Sequence, residues 1–284
     1  MGVGLRAQNE AKRVKVRLFA LCLAMLGATL AQDLTAAELG ATDTSRAARW
    51  NTIAAYIFGD RKIEATETLI KLEAPPRAQD AALVPVTLIM PEKEKIKSVY
   101  LVIDDNPSPL AAHITFGPAA DPGSLQLRVR IDTYTNVHAV AETVDGRLFG
   151  TVAFVKASGG CSAPIDSTDE EAMQGTGEMR MKFAAAAVPG EPMQATLMIR
   201  HPNFNGMLMN QLTRNYTPSR YIDNISISSG TSKIFDLSAD ISLSTNPVLT
   251  FSFIPDGKDP IRVIISDTKA GRWEQTFATP ASTN

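Results

Sequence analysis

The sequence has few cysteines and almost no excess of either charge. Its 284 residues include two cysteines, 28 lysines and arginines, and 30 aspartates and glutamates, for a formal net charge of −2. Two cysteines exclude a disulfide-dense scaffold, a Cys₄ zinc site and a ligated iron–sulfur cluster. The balanced charge argues against a nucleic-acid-binding protein, because such proteins carry a strong basic excess. The motifs G-x-x-x-x-G-K-S/T, G-x-S-x-G and H-E-x-x-H are also absent, so the common phosphate-binding, hydrolase and zincin signatures are missing.

The N-terminus has the pattern of an export signal. Five basic residues between Arg6 and Arg17 precede an apolar run over residues 18 to about 30. That run is shorter than the ~20 residues that a membrane-spanning helix needs. Small residues at its end favour cleavage before Gln32, and Ala37 is a second candidate for the mature start. We therefore predict that residues 1–31 are a signal peptide; an uncleaved membrane anchor is the alternative.

The remaining sequence shows mainly the period of β-strands. A helical pattern covers residues 44–59, and strand patterns follow. In one of them Leu125, Leu127, Val129 and Ile131 alternate with Gln126, Arg128, Arg130 and Asp132, which predicts a half-buried strand with Arg130 at a polar position. The Asp145-Gly146 pair between two strands predicts a hairpin. The predicted strands are residues 84–90, 98–103, 125–131, 136–142, 148–155, 178–183, 193–200, 221–228, 233–237, 248–254, 261–267 and 272–277.

A change in composition separates the strands into two sets. Residues 157–177 contain Gly, Ser, Pro and four acids with almost no periodicity, which is typical of a linker or long loop. Two sets of short strands, about 100 residues each, favour two antiparallel β-sandwiches. We therefore expect an all-β protein with a first domain at residues 44–157, a Gly/Ser/acidic loop at 158–177 and a second domain at 178–280. The turn Asp104-Asp105-Asn106 is interpreted as solvated rather than as a cation site, because too few oxygen ligands are local.

The candidate for chemistry is Cys161. Cys22 lies within the apolar run and is expected to leave with the signal, so Cys161 is the single thiol of the exported protein. Gly159 and Gly160 precede it and free the backbone, which suggests a thin, mobile arm that presents the sulfur to another protein. A covalent carrier needs such an arm. A linker cysteine without a role and a weakly reactive surface thiol are the alternatives.

The histidines give little further signal. His113, His138 and His201 lie on separate segments with no i, i+4 spacing. A pairing with Cys161, as a nucleophilic pair or a copper site, is open but is not indicated by spacing. For His201, before Pro202 at a strand end, a structural role is favoured. We predict no catalytic residue, no metal site and no cofactor.

Several short stretches carry a family resemblance. In the first half they are VPVT (84–87), DDNP (104–107), NVHAVAE (136–142) with Asp145-Gly146, and GGC (159–161); in the second half they are His201-Pro202, Tyr221-Ile222, Asn246-Pro247 before Phe251-Ser252-Phe253, and the turn at 267–271. The first set resembles SoxY, the cysteine-bearing carrier subunit of bacterial sulfur oxidation, and the second resembles its partner SoxZ. The chain is thus similar to a single-chain SoxYZ-like carrier of the type associated with quinoprotein dehydrogenases.

The resemblance implies two immunoglobulin-like sandwiches that pack together, and a periplasmic location. It also implies that Cys161 bears a sulfur intermediate of thiosulfate-type oxidation while partner enzymes act on it. The family cysteine stands in a free Gly-Gly-Cys-Gly-Gly tail, whereas here Ser162 and Ala163 follow and the chain continues. The implied partners are periplasmic sulfur-oxidation enzymes or a quinoprotein dehydrogenase.

Three functional hypotheses follow from this sequence. The first is a covalent carrier that is not itself an enzyme. The second is a non-covalent accessory or binding module of a periplasmic quinoprotein (PQQ-type) dehydrogenase. The third, a thiol-dependent transferase, lacks a second catalytic group signalled near Cys161.

Overall fold

The computed structural model describes residues 43–164, 167–256 and 259–280. The predicted signal peptide, residues 1–31, lies outside these residues. Helix α1 (Asp43–Phe58) agrees with the predicted helix and ends at Gly59, whose φ is +64°. The chain divides into two compact units between Thr52 and Ile53, so the described part of the first unit is helical and the second unit contains every described strand. Among the described residues, no helix combines the length and the apolar character needed to cross a membrane.

The second unit is built from short β-strands, most of them in the positions that the alternating pattern predicts. In the N-terminal half they are β1 (Ile63–Ala65), β2 (Lys71–Glu73), β3 (Val84–Ile89), β4 (Ile96–Ile103), β5 (Leu110–Phe116), β6 (Ala120–Val129), β7 (Thr135–Thr143) and β8 (Leu148–Val155). In the C-terminal half they are β9 (Met179–Phe183), β10 (Met193–Ile199), β11 (Ile222–Ser229), β12 (Ser232–Ala239), β13 (Val248–Phe253), β14 (Ile261–Asp267) and β15 (Arg272–Phe277). A short helix α2 (Asp169–Met173) lies between the halves, inside the segment predicted to be a loop.

The described strands form two sheets, and each sheet runs through both halves. The larger sheet has the order β1-β8-β7-β4-β5-β12-β11-β14-β15, and the smaller has the order β2-β3-β6-β13-β10-β9. The halves join where β5 pairs antiparallel with β12, from Phe116↔Phe235 to Ala112↔Ala239, and where β6 pairs antiparallel with β13. Backbone hydrogen bonds in two ladders therefore connect the two halves directly.

One apolar core lies between the two sheets. Alternate residues along the strands point inward, and the buried set extends without interruption from the N-terminal half to the C-terminal half. Phe235 of β12 meets Phe251 of β13 edge to face with ring centroids 5.1 Å apart, so the two sheets contact each other close to the junction. The predicted all-β fold with sandwich packing and a short N-terminal helix is confirmed.

Two details differ from the sequence-based expectations. The turn at residues 104–106 is largely buried rather than solvated: Asp104 and Asn106 are buried, and Asn106 Nδ2 donates to the Arg130 carbonyl at 2.8 Å and to Ser242 Oγ at 2.8 Å. Arg130 is also buried, although its place in the alternating pattern puts it on the polar side of the strand. For Asn106 and Arg130 the reason is that residues of the C-terminal half accept their hydrogen bonds.

Candidate functional site

Cys161 lies on a loop that is fastened to the N-terminal half. The cysteine loop (residues 158–164) follows β8, and its backbone meets the chain that follows β6. Gly159 N donates to the Asp132 carbonyl at 2.6 Å, and Gly160 N donates to the Ile131 carbonyl at 3.1 Å. Ile131 N in turn donates to the Ala81 carbonyl at 2.8 Å. The backbone of the cysteine loop is thus hydrogen-bonded to residues 131–132, and Ile131 is hydrogen-bonded in turn to Ala81.

The two glycines have a different role from the one the sequence suggests. Gly159 has a φ of +74°, a conformation that glycine adopts without strain. A Cβ on Gly160 would stand 2.0 Å from the Ala81 carbonyl oxygen and 2.5 Å from the Ile131 carbonyl oxygen. The Gly-Gly pair therefore makes a tight turn pressed against backbone, whereas we expected Gly159 and Gly160 to give an arm flexibility.

The thiol of Cys161 is shielded in this structure. It is a free cysteine and is fully buried, so the sulfur is not presented on an exposed arm as expected. Burial raises the pKa of the Cys161 thiol to about 12, the carboxylate of Asp132 adds to this, and the guanidinium of Arg130 opposes it. The thiol is therefore protonated at neutral pH in this conformation, and thiolate chemistry requires a change in its surroundings.

The C-terminal half holds the cysteine loop from the other side through the β10–β11 loop (residues 200–221). Asn205 Nδ2 donates to the carbonyl of Cys161 at 2.7 Å. Asn210 Nδ2 donates to the Ser167 carbonyl and to Asp169 Oδ1, both at 3.0 Å, next to the start of α2. Asparagine side chains of one half thus bind the connection that carries the cysteine.

Arg130 lies where the two halves meet. Its Nη1 donates to the carbonyls of Asn203 at 2.8 Å and Leu243 at 2.9 Å, and its Nη2 donates to Thr245 Oγ1 at 2.6 Å. Arg130, Pro164, Leu208 and Thr245 are among the residues that line an open cavity of about 270 Å³. The alternating pattern puts Arg130 on the polar side of its strand and gives no sign that another part of the chain covers it.

The three histidines have structural surroundings. His201 is buried, its Nε2 lies 3.4 Å from Asp267 Oδ2, and its Nδ1 accepts a hydrogen bond from Asn203 N at 3.0 Å. His138 Nε2 lies 3.2 Å from Asp104 Oδ2, and His113 stacks on Tyr100 with centroids 4.1 Å apart. The charged groups that shift the pKa of the Cys161 thiol, among the described residues, are Asp132 and Arg130 rather than a histidine. Within the described ranges, no group of three or more His, Cys, Asp or Glu side chains is placed to hold a metal ion.

Comparison with known proteins assigns each half to a family. A family model described as sulfur oxidation protein SoxY matches residues 54–161, and one described as sulphur oxidation protein SoxZ matches residues 179–278. The chain is a fused SoxY–SoxZ protein. It therefore belongs to the SoxYZ-like carrier family of sulfur oxidation, and its SoxY match ends at Cys161.

Solved structures include similar chains. The sulfur carrier protein SoxY from Chlorobium limicola f. thiosulfatophilum is 28% identical; the match covers 39% of this chain and 94% of that one, with a TM-score of 0.35. A putative superoxide reductase from Thermotoga maritima is 12% identical over 33% of this chain and 92% of that one, with a TM-score of 0.28. No curated protein sequence matches the chain. The sequence-based recognition of a SoxYZ-like fusion is confirmed by the family matches.

Proposed function

We propose that this SoxY–SoxZ fusion is a periplasmic carrier that holds a sulfur-containing intermediate covalently on Cys161 and presents it to partner enzymes. The observation that carries the proposal is the position of Cys161: it is the last residue of the SoxY match, and residues of both halves hold its loop. In the described part of the chain it is the only cysteine, so a thiol-bound load has one place to attach.

Loading requires that the cysteine loop opens. In the closed form the sulfur is buried, and three hydrogen bonds hold Gly159, Gly160 and the Cys161 carbonyl in place. At about 1 kcal/mol net for each bond, opening costs about 3 kcal/mol, which corresponds to roughly one open molecule in a hundred. A partner enzyme that binds only the open form shifts this equilibrium toward it.

The covalent step has a defined electron balance. A sulfur–sulfur bond between the Cys161 thiol and a reduced sulfur anion releases two electrons and the thiol proton. A partner oxidoreductase must accept these electrons, since the described chain holds neither a second cysteine nor a cluster of side chains placed to hold a metal ion. The proposed partners are therefore periplasmic sulfur-oxidation enzymes or a quinoprotein dehydrogenase, and the carrier itself is not an enzyme.

The test is the intact mass of the protein taken from the periplasm of cells grown on a reduced sulfur compound. We expect a mature mass that lacks residues 1–31, with added mass that disappears after treatment with a reductant. The Cys161→Ser variant should show the mass of the mature chain, lowered only by the exchange of sulfur for oxygen, without the adduct. An unmodified mass in the wild-type protein under these conditions contradicts covalent carriage.

A second candidate function is a non-covalent accessory module of a periplasmic quinoprotein dehydrogenase. The full burial of Cys161 favours it, because such a module needs no accessible thiol. This candidate predicts that the dehydrogenase co-purifies with the Cys161→Ser variant as well as with the wild type. Loss of the complex in that variant supports the covalent carrier instead.

A further inference from the structure

Arg130 is a buried cation whose hydrogen-bond partners are all neutral. The residue is 1% exposed. Besides Asn203, Leu243 and Thr245, its guanidinium reaches the carbonyls of Ile241 and Pro202, each at 3.4 Å. Among the residues that the structure describes, no carboxylate accepts a hydrogen bond from it. A buried charge is normally neutralised by an opposite charge, because removing it from water is costly.

The cysteine loop is attached to the residues that directly follow this cation. Ile131 and Asp132, the next two residues along the chain, accept the hydrogen bonds from Gly160 and Gly159. The same open cavity is lined by Arg130 and by Pro164 of the cysteine loop. The residue before Cys161 is therefore hydrogen-bonded to the residue after Arg130, which brings the two backbone segments together.

Their electrostatic effects are reciprocal. Burial lowers the pKa of Arg130 to about 10, and negative charge on Cys161 raises it again. For Cys161, burial and Asp132 raise the thiol pKa and Arg130 lowers it. Within the described residues, negative charge on Cys161 favours the charged form of Arg130, whereas the carboxylate of Asp132 disfavours negative charge on the thiol.

We propose that Arg130 is a positioning residue of the carrier site, where its guanidinium is the internal counter-ion for negative charge on Cys161, either as thiolate or on an anionic load. The inference rests on the proposed function. In this role Arg130 does more than hydrogen-bond the two halves together. The proposal predicts that the site is more stable with an anionic group on the sulfur than with a neutral group of the same size.

The experiment compares two nearly isosteric groups on Cys161 in the purified full-length protein. Iodoacetate converts the thiolate to a carboxymethyl thioether and releases iodide, and iodoacetamide gives the neutral carbamidomethyl thioether in the same way. Thermal unfolding is then measured for both adducts in the wild type, Arg130→Met and Arg130→Lys. The Cys161→Ser variant is treated with each reagent as a control for alkylation of other side chains.

We expect the charged adduct of the wild type to unfold about 2–4 °C above the neutral adduct. The difference should disappear in Arg130→Met and persist in Arg130→Lys, which keeps the charge. If Arg130 were purely structural, Arg130→Met would lower the unfolding temperatures of both adducts equally. An unchanged difference between the two unfolding temperatures therefore overturns the proposal. If Arg130→Met does not fold, Arg130→Gln serves instead, and we expect the difference to disappear there as well because the amide carries no charge.

This result is independent of the test of covalent carriage. The adducts are made chemically, so the preference for an anion is measured even if no load is found on the protein in cells. Conversely, a load found in cells with equal stability of the two adducts retains the carrier and removes the role of Arg130.

Discussion

The hydrogen bond from Asn205 to the Cys161 carbonyl predicts how readily the thiol becomes accessible. In Asn205→Ala the buried carbonyl of Cys161 loses its donor, whereas in the open form water can supply one. An unsatisfied buried acceptor costs about 1–3 kcal/mol, and each 1.4 kcal/mol is a factor of ten. We therefore expect the ratio of open to closed molecules to rise roughly 5- to 150-fold.

The assay is the rate of thiol labelling by an excess of iodoacetamide at pH 8, followed by intact mass. When the loop closes again faster than the reagent reacts, the rate is proportional to the open fraction. Asn205→Asp is the matched variant: its carboxylate can still accept the hydrogen bond that Asn205 Oδ1 receives from Met207 N, but it offers no donor to Cys161. It should label as fast as Asn205→Ala.

The control is Asn215→Ala, whose side chain is exposed in the same β10–β11 loop. This variant should label within about twofold of the wild type, because an exposed surface substitution changes stability little. Wild-type labelling in a folded Asn205→Ala protein would refute the reasoning, and so would an equal acceleration in Asn215→Ala.

Three further predictions concern the fold around the site. Gly160→Ala places a Cβ against the Ala81 carbonyl, so it should label faster than wild type and unfold at a lower urea concentration. Phe235→Ala at the junction should cost about 3–5 kcal/mol in urea unfolding, and a single transition is expected because both halves share one core. Burial by itself would raise the pKa of Asp267, but hydrogen bonds from Arg220 and from backbone N–H groups lower it below its ordinary value. Its stabilising effect is therefore present above pH ~4 and lost as the pH falls through the lowered pKa, so Asp267→Asn should be destabilised at pH 7 and lose less stability than the wild type between pH 5 and 2. Separate transitions for the two halves, or an identical pH dependence in Asp267→Asn, would contradict these expectations.

Local sequence patterns predicted most strands because their burial alternates with period two. The hairpin at Asp145-Gly146 was also predictable, since Gly146 has the positive φ, +82°, that such a turn requires. Strand β5 was missed: its LAAHITF sequence has few β-branched residues. Because β5 is the strand that pairs with β12, the continuity of the larger sheet through both halves was missed with it.

The sequence was sufficient to predict that Cys161 is the candidate site residue, but not to predict which residues surround it. A Gly-Gly-Cys sequence is compatible with a free arm and with a tight turn, and the distinction depends on the distant Ala81 carbonyl. The burial of Arg130 was likewise not predictable, because its hydrogen-bond partners, from Asn203 to Thr245, lie far along the chain. The alternation of apolar and polar residues along a strand does not reveal contacts with distant parts of the chain.

The two ladders that join the halves have a consequence for the covalent connection between them. Since β5–β12 and β6–β13 pair through the backbone and share one core, the peptide link is not what holds the particle together. A single protease cut within residues 167–177 should leave both fragments migrating as one species in gel filtration. It would also turn the cysteine-bearing segment into a chain end, which has one anchor fewer than a closed loop.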